Sequence, residues 1–253
     1  MNKIKKIQLL ATPRSGSNYL HNVMIDYMRS MWIRDPLVPH MFSEISFEKR
    51  QAHCRKTLNT MHGMNKVIWK AHPAVFMNPI MDGLDEYKDE LIGIADYTIG
   101  LTRRKLFESC LSGTIGRKTK RWIQPYDYTN LTITKEEFLE YCDIMLFKHV
   151  KNFVNNPYNI KFDEVLFYED LSCNPRLDFA SLDFVNVSSE KLVRIDSRIQ
   201  KSPNKASVVT NYDEIYEIAM EYSKTIDIAG VTIKDFEIVD MDLSKLLVHT
   251  IRS

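Results

Sequence analysis

The sequence predicts an α/β fold built on a largely parallel sheet, and two observations lead to this class. Short, continuous apolar runs recur along the chain, as they do in strands that are buried on both faces of a parallel sheet. Between these runs lie segments with apolar residues at three-and-four spacing, which is the pattern of helices with one buried face. Strands that alternate with helices in this way favour an α/β fold.

The predicted strands are four apolar runs. They are Ile7–Ala11, Val67–Ala71, Tyr97–Thr102 and Glu164–Tyr168. The basic start of the chain, MNKIKKIQLLA, has some likeness to a secretory signal, but its apolar part is too short and no small-residue cleavage site follows it. We therefore interpret this segment as the first strand.

The predicted helices lie between and after these strands. They are Gly16–Ser30, Arg104–Ile115, Thr134–Phe153 and Tyr212–Ser223. The third of them opens with Thr-x-x-Glu, which is the sequence pattern of a capping box. Three other stretches, 31–66, 119–133 and 172–210, are predicted to be irregular, and their length makes them candidates for functional loops.

Composition limits the class of protein. The chain has 253 residues, 44% of them hydrophobic, and no repeat or linker divides it, so we expect a single domain over residues 1–253. A formal net charge of +1 does not favour nucleic acid as a partner, so an anion site should be local. No run approaches the roughly 18 apolar residues of a membrane span. The four cysteines form no CxxC pair, which argues against zinc or a disulfide framework and favours a cytoplasmic protein without a metal.

The segment TPRSGS, residues 12–17, connects the first predicted strand to the first predicted helix. In an open α/β sheet, ligands bind beyond the carboxyl ends of the strands, where this segment falls. The N–H groups of Ser15, Gly16 and Ser17 would belong to the first helical turn, where they lack helical partners, and Arg14 would add a cation. This pattern favours a phosphate or sulfate site. An ordinary loop with Ser15 as the helix N-cap fits the same residues.

The same segment resembles the 5′-phosphosulfate loop of sulfotransferases, which reads PKSGTT or PRSGTT, and it lacks the GxxxxGK[ST] pattern of nucleotide-triphosphate loops. The resemblance implies a three-layer P-loop fold and 3′-phosphoadenosine-5′-phosphosulfate (PAPS) as the co-substrate. It implies cofactor contacts from Arg14, Ser15, Gly16, Ser17, Asn18 and Tyr19. It also implies a catalytic role for Arg14, which lies where the family more often has a lysine.

Two later segments resemble further cofactor-binding motifs of this family. In IGLTRRKLFESCLSG, Arg104 is followed eight residues later by Ser112, as in the family's 3′-phosphate site, and Arg103 is the alternative one residue out of register. In EVLFYEDLSCNP, Tyr168 matches a tyrosine that lies near the adenine. Lys201 lies where the family has another 3′-phosphate loop, although the RxGxxGxWK pattern of that loop is absent.

The residue that would accept the substrate proton stays open between two candidates. In VIWKAHPAVF, Lys70 and His72 fall on the same side of an extended chain. Cytosolic sulfotransferases carry Lys-x-His at this place, which implies His72 as the base and Lys70 as a ligand of the sulfuryl oxygens. Glu44, in HMFSEISF, is the alternative, because bacterial trehalose-type sulfotransferases use a glutamate in the region after the first helix.

The motifs between residue 12 and about residue 175 therefore resemble those of a sulfotransferase. The resemblance implies transfer of a sulfuryl group from PAPS to a hydroxyl of a small molecule or carbohydrate. Two other functions stay open. A non-catalytic nucleotide-binding protein would keep the pocket without the transfer, and a P-loop nucleotide kinase would need a Walker lysine, which the sequence lacks.

Overall fold

A five-stranded parallel sheet forms the centre of the structure. The computed structural model describes residues 6–18, 20, 21, 24, 31–34, 45–76, 81–120, 130–173 and 204–247, with the backbone alone for 31–34, 74, 75 and 171–173. The strands are β1 (Lys6–Ala11), β2 (Met31–Arg34), β3 (Val67–Ala71), β4 (Tyr97–Thr102) and β5 (Glu164–Phe167). Their spatial order is β2-β3-β1-β4-β5, and every pairing is parallel. With helices flanking this sheet, the predicted α/β class is confirmed.

Strand β1 lies in the middle of the sheet, and four of its six residues are apolar. Leu9 lies opposite Lys70 of β3 on one side and opposite Ile99 of β4 on the other. Ile7, Leu9 and Leu10 have no solvent exposure. The loop that follows β1 is therefore held at the carboxyl ends of the strands, near the middle of the sheet.

The strand order opens a crevice beside this loop. The chain leaves β1 toward β2, at one edge of the sheet, whereas it leaves β4 toward β5, at the other edge. Neighbouring strands whose connections diverge in this way leave a gap beyond their carboxyl ends, and ligands bind in such gaps. Thr12 and Thr102, the residues at these two strand ends, approach each other with 3.2 Å between their hydroxyl oxygens.

Helices cover the sheet and share one apolar core with it. The described helices are Phe47–Gly63, Pro73–Phe76, Asp85–Gly93, Leu106–Thr119, Lys135–Asp143, Lys151–Asn155, Tyr168–Cys173 and Tyr212–Ser223, with a π-helical segment Ile144–Val150 and a 3₁₀ turn Lys205–Ser207. Leu10 and Trp69 of the sheet belong to the same buried cluster as Leu58, Leu111 and Phe138 of the helices. Burial of this apolar surface stabilises the arrangement.

Several helix predictions are confirmed. The helix Tyr212–Ser223 has the predicted bounds. The helix predicted from Arg104 begins at Leu106 and continues to Thr119. Thr134 caps the helix Lys135–Asp143, and its capping box with Glu137 is present. The predicted continuation to residue 153 is helical, but it includes the π-helical segment Ile144–Val150. A π-helix has about one more residue per turn than an α-helix.

The prediction that residues 31–66 are irregular is wrong. This stretch contains β2 and the long helix Phe47–Gly63. A strand of four residues is too short to show a clear period. The helix buries only Cys54, Leu58 and Met61, so its apolar stripe is too thin to be seen in the sequence.

A two-stranded hairpin near the end of the described chain was not anticipated by the sequence pattern. Its antiparallel strands are β6 (Val231–Lys234) and β7 (Glu237–Met241). The backbone of β7 bonds to the residues before the helix Leu106–Thr119, with Ile238 N–H donating to the Arg104 carbonyl at 3.0 Å. The hairpin thereby supports the chain where β4 leads into that helix.

Candidate functional site

The candidate site is built around the loop that follows β1. Thr12 N–H donates to the Leu101 carbonyl of β4, which extends the β1 pairing into the loop. The Ser15 hydroxyl then donates to the Thr12 carbonyl at 2.6 Å and closes a tight turn. Arg14, within this turn, has φ 60°, a conformation that costs a non-glycine residue about 1–3 kcal/mol. Such local strain is a common feature of ligand-binding loops.

The loop ends in the first turn of a helix. Ser17 is helical, and the Leu20 N–H donates to the Gly16 carbonyl at 3.1 Å, which is an i to i−4 helical bond. The N–H groups of Ser17 and Asn18 precede this bond, so helix geometry gives them no partner further back in the helix. Together with the helix dipole, they form a suitable cradle for an anion.

Gly16 is required by a close contact as well as by its backbone. Its φ of 77° is a conformation that favours glycine. A Cβ at this position would lie only 2.1 Å from Cδ2 of Tyr168, so the Tyr168 ring rests directly on the loop backbone. Tyr168 is the first residue of the helix Tyr168–Cys173, whereas the sequence placed it at the end of a strand. The predicted anion-binding loop and Tyr168, the residue expected near the adenine, are therefore neighbours.

Arg14 and Ser112 are joined by two hydrogen bonds. The Nε and Nη2 atoms of Arg14 donate to the Ser112 Oγ at 2.9 Å and 2.7 Å. These residues are 98 positions apart in the sequence. Ser112 is only 5% exposed and lies inside the helix Leu106–Thr119, so it is a rigid acceptor that fixes the direction of the guanidinium.

Lys70 and His72 approach the same loop from β3. The Lys70 ammonium donates to the Asn18 Oδ1 at 2.9 Å. The His72 Nδ1 lies 2.6 Å from the carbonyl oxygen of Ala11, the last residue of β1. Because a carbonyl can only accept, Nδ1 carries the hydrogen, and in a neutral ring the lone pair is then on Nε2. The His72 ring therefore has the tautomer that a proton acceptor acting through Nε2 requires.

His149 packs beside His72. The two ring centroids are 6.0 Å apart, and the rings meet edge to face. Burial, followed by the charges of His72 and Lys148, lowers the pKa of His149 to about 3, so this ring is neutral at physiological pH. The π-helical segment that carries His149 is a feature often found at functional sites.

Arg103 and Arg104 are both engaged by the segment that follows β5. The Arg104 guanidinium donates to Asp170 at 2.5 Å and 2.9 Å and lies 3.9 Å from the centre of the Phe167 ring. The Arg103 guanidinium lies 4.8 Å from the centre of the Tyr168 ring. Of the two arginines, Arg103 is thus linked to the loop, through the ring that covers Gly16.

Glu169, which the sequence motifs did not single out as a site residue, organises this region. Its carboxylate accepts from the backbone N–H groups of Arg104 and Lys105 at 2.9 Å and 3.1 Å, and from the Arg103 Nε at 3.2 Å. It therefore caps the backbone just before the helix Leu106–Thr119 from a different part of the chain. The acidic pair directly after a strand, in YED, was the available signal.

The structure brings most of the predicted site residues to one edge of the sheet. The residues with linked contacts around the loop are Arg14, Ser15, Gly16, Ser17, Asn18, Lys70, His72, Ser112 and Tyr168. Arg104 lies at the adjacent strand end, but no described contact joins it to Ser112. Glu44, Lys201 and Tyr19 lie outside the described residues. Among the described residues, no cluster of three or more His, Cys, Asp or Glu could hold a metal ion.

Chemically, the carboxyl ends of these strands combine backbone donors with a fixed guanidinium, an ammonium and an imidazole whose Nδ1 is held by the Ala11 carbonyl. Such a set can bind an anionic group on the loop and stabilise negative charge that develops near Arg14. The imidazole can receive a proton from a hydroxyl that is placed beside it.

Comparison with known proteins gives weak structural similarity. No family model matches the chain, and no curated protein matches it. A mouse sulfotransferase, SULT7A1, complexed with PAP, is 11% identical, with a TM-score of 0.46, over 87% of this chain and 85% of that chain. The deoxyadenosine kinase from M. mycoides with bound dATP is 17% identical, with a TM-score of 0.41, over 70% of this chain and 99% of that chain.

In the described ranges, no helix is both long enough and apolar enough to cross a membrane.

Proposed function

We propose that this chain is a PAPS-dependent sulfotransferase with a P-loop-type nucleotide site. Its acceptor is a hydroxyl group of a small molecule or carbohydrate. The observation that carries the proposal is the contact between Arg14 and Ser112. Two segments that resemble separate cofactor motifs, far apart in the sequence, meet through a pair of hydrogen bonds at the edge of the sheet where ligands bind.

The loop would hold the 5′-phosphosulfate end of the donor. The N–H groups of the first helical turn bind the 5′-phosphate, and Gly16, at φ 77°, gives the loop the backbone conformation that leads into this turn. The Tyr168 ring, whose Cδ2–Cε2 edge packs against this glycine, offers an aromatic surface for the adenine. Arg104 would bind the 3′-phosphate in exchange for Asp170, because a phosphate carries more negative charge than a carboxylate.

The transfer step would use Arg14, Lys70 and His72. The acceptor oxygen attacks sulfur while the bond between sulfur and the bridging oxygen breaks, and the electron pair of that bond goes to the phosphate. Arg14 stabilises the charge that develops on this oxygen, and it does so electrostatically because a guanidinium keeps its protons at neutral pH. Nε2 of His72 takes the hydroxyl proton, and the Lys70 ammonium faces the sulfuryl oxygens.

A donor-consumption assay tests this proposal. The purified protein is incubated with isotopically labelled PAPS and a panel of phenols, alcohols and sugars, and sulfated products are identified by mass spectrometry. We expect release of adenosine 3′,5′-bisphosphate that depends on the acceptor and is lost in Arg14→Ala. Binding of the bisphosphate without transfer to any acceptor would instead indicate a non-catalytic nucleotide-binding protein, and phosphoryl transfer from ATP would indicate a kinase.

A further inference from the structure

A second polar side chain reaches the Arg14 region from another helix. The ring of Tyr141, on the helix Lys135–Asp143, packs against Gly113 of the helix Leu106–Thr119. A Cβ at Gly113 would lie 1.9 Å from Cζ and 2.3 Å from Oη of Tyr141. The end of the ring that bears the hydroxyl therefore occupies the space that a side chain at position 113 would fill.

This position places the phenol next to the residue that holds Arg14. Ser112, the acceptor of both Arg14 hydrogen bonds, directly precedes Gly113. The positive charges of Arg14 and Arg117 act on the phenol, but burial is the larger effect, and it raises the pKa of Tyr141. The hydroxyl consequently stays protonated at neutral pH and can donate a hydrogen bond.

The hydroxyl of Tyr141 has no hydrogen-bond partner among the residues that the structure describes. Other tyrosines, which are partly buried against the core, do have one: Tyr158 donates to the Phe76 carbonyl, Tyr212 to Glu108 and Tyr222 to Asp143. A largely buried tyrosine hydroxyl usually finds a partner in the protein, in water or in a ligand. Tyr141 as a whole is 5% exposed, and its Oη keeps some contact with solvent, so a water molecule or a ligand oxygen can reach it.

We propose that Tyr141 is a further anion-binding residue of this site and that its hydroxyl donates a hydrogen bond to an oxygen of the anion held by Arg14. The inference rests on the proposed function for the presence of an anion on the loop, and it adds a donor from the helix Lys135–Asp143. It also gives Gly113 a role, because only glycine lets the phenol lie so close to this helix.

Calorimetry on Tyr141→Phe tests the inference, with adenosine 3′,5′-bisphosphate, ATP and inorganic pyrophosphate as probes. The matched control is Tyr222→Phe, because the Tyr222 hydroxyl bonds to Asp143 at the end of the same helix. We expect Tyr141→Phe to lower the affinity for every anion that the wild type binds. The expected loss is about ten- to a hundredfold, the range for a hydrogen bond to a charged group. The control should bind these anions as the wild type does.

A second measurement does not depend on the stability of the variant. In protein labelled at the tyrosine Cζ, the Tyr141 resonance should move when the tightest-binding anion saturates the wild type, while the Tyr222 resonance stays in place. Unchanged affinities in Tyr141→Phe together with an unmoved Tyr141 resonance overturn the inference and leave the proposed function intact. A wild type that prefers ATP to the bisphosphate contradicts the proposed function, and the Tyr141 effect is then measured with ATP. A wild type that binds no probe overturns both.

Discussion

The guanidinium of Arg14 donates two hydrogen bonds to a single oxygen, the Oγ of Ser112, from Nε at 2.9 Å and from Nη2 at 2.7 Å. Arg14 is also held in a backbone conformation with φ 60°. The side chain and the backbone are thus constrained at the same residue. A cation fixed in this way needs little reorganisation when charge develops beside it, which is the physical basis of electrostatic catalysis.

The first prediction concerns the partner of Arg14. We expect Ser112→Ala to lower turnover by about ten- to a hundredfold, because loss of hydrogen bonds to a charged group, at about 1.5–3 kcal/mol, releases the guanidinium from its productive direction. Steady-state kinetics with PAPS gives this value. Ser109→Ala is the control: Ser109 lies in the same helix, is 1% exposed, and its Oγ has no partner within the described part of the chain. Equal losses in both variants would show a general effect on the helix.

The second prediction separates two ligands at Arg104. Arg104→Ala should weaken the binding of adenosine 3′,5′-bisphosphate by about 1.5–3 kcal/mol and leave the binding of AMP nearly unchanged, because only the bisphosphate carries a 3′-phosphate. Asp170→Asn should tighten the bisphosphate, since it removes the carboxylate that competes for Arg104. Calorimetry with both ligands measures these effects. Equal losses of bisphosphate and AMP in Arg104→Ala would place this residue away from the 3′-phosphate.

The third prediction tests the glycine of the loop. Gly16→Ala should destabilise the fold by about 1–3 kcal/mol and abolish nucleotide binding, because the new methyl group meets the Tyr168 ring at a backbone φ of 77°. Chemical denaturation and calorimetry give the two values. Gly93→Ala is the control, since nothing lies within 4 Å of a Cβ there and a helical alanine should be neutral or stabilising. Wild-type affinity in Gly16→Ala would show that the anion does not approach this backbone.

The sequence was sufficient for the features that depend on local patterns. The apolar runs of β1 and β4 and the capping box at Thr134 have local causes, so their positions could be predicted. The contact between Arg14 and Ser112 is long-range, and only a resemblance to known motifs suggested that their segments share a site. The roles of Glu169 and Tyr141 depend on which helices meet in space, which periodicity does not encode.

The fourth prediction follows from a lowered pKa at Glu137. Hydrogen bonds from the Lys118 ammonium and from the Thr134 backbone favour the charged carboxylate and lower the pKa of Glu137. A carboxyl with a lowered pKa in the folded state contributes stability above its unfolded value of about 4.3, and this contribution is lost as the pH falls through the folded value. Glu137→Gln should therefore reduce the unfolding free energy at pH 7 and have little effect near pH 3.

Denaturant unfolding at a series of pH values measures this difference. Glu136→Gln, which changes an exposed neighbour on the same helical turn, is the matched control. A difference between Glu137→Gln and the wild type that is the same at both pH values would mean that helix capping acts through geometry alone.

The last prediction assigns the proton acceptor. His72→Gln should reduce turnover by about a hundredfold or more, the usual contribution of a general base, while PAPS binds as tightly as before, because the base contacts only the acceptor hydroxyl. Arg14→Ala should reduce both turnover and donor affinity. His62→Gln is the control, since this exposed histidine is bonded to Glu90 at 2.6 Å on the helical surface. Thermal unfolding tests whether His72→Gln keeps its fold without the bond to the Ala11 carbonyl. If His72→Gln retains full turnover and Glu44→Gln loses it, the base is Glu44, and the histidine tautomer fixed by β1 serves the structure of the loop instead.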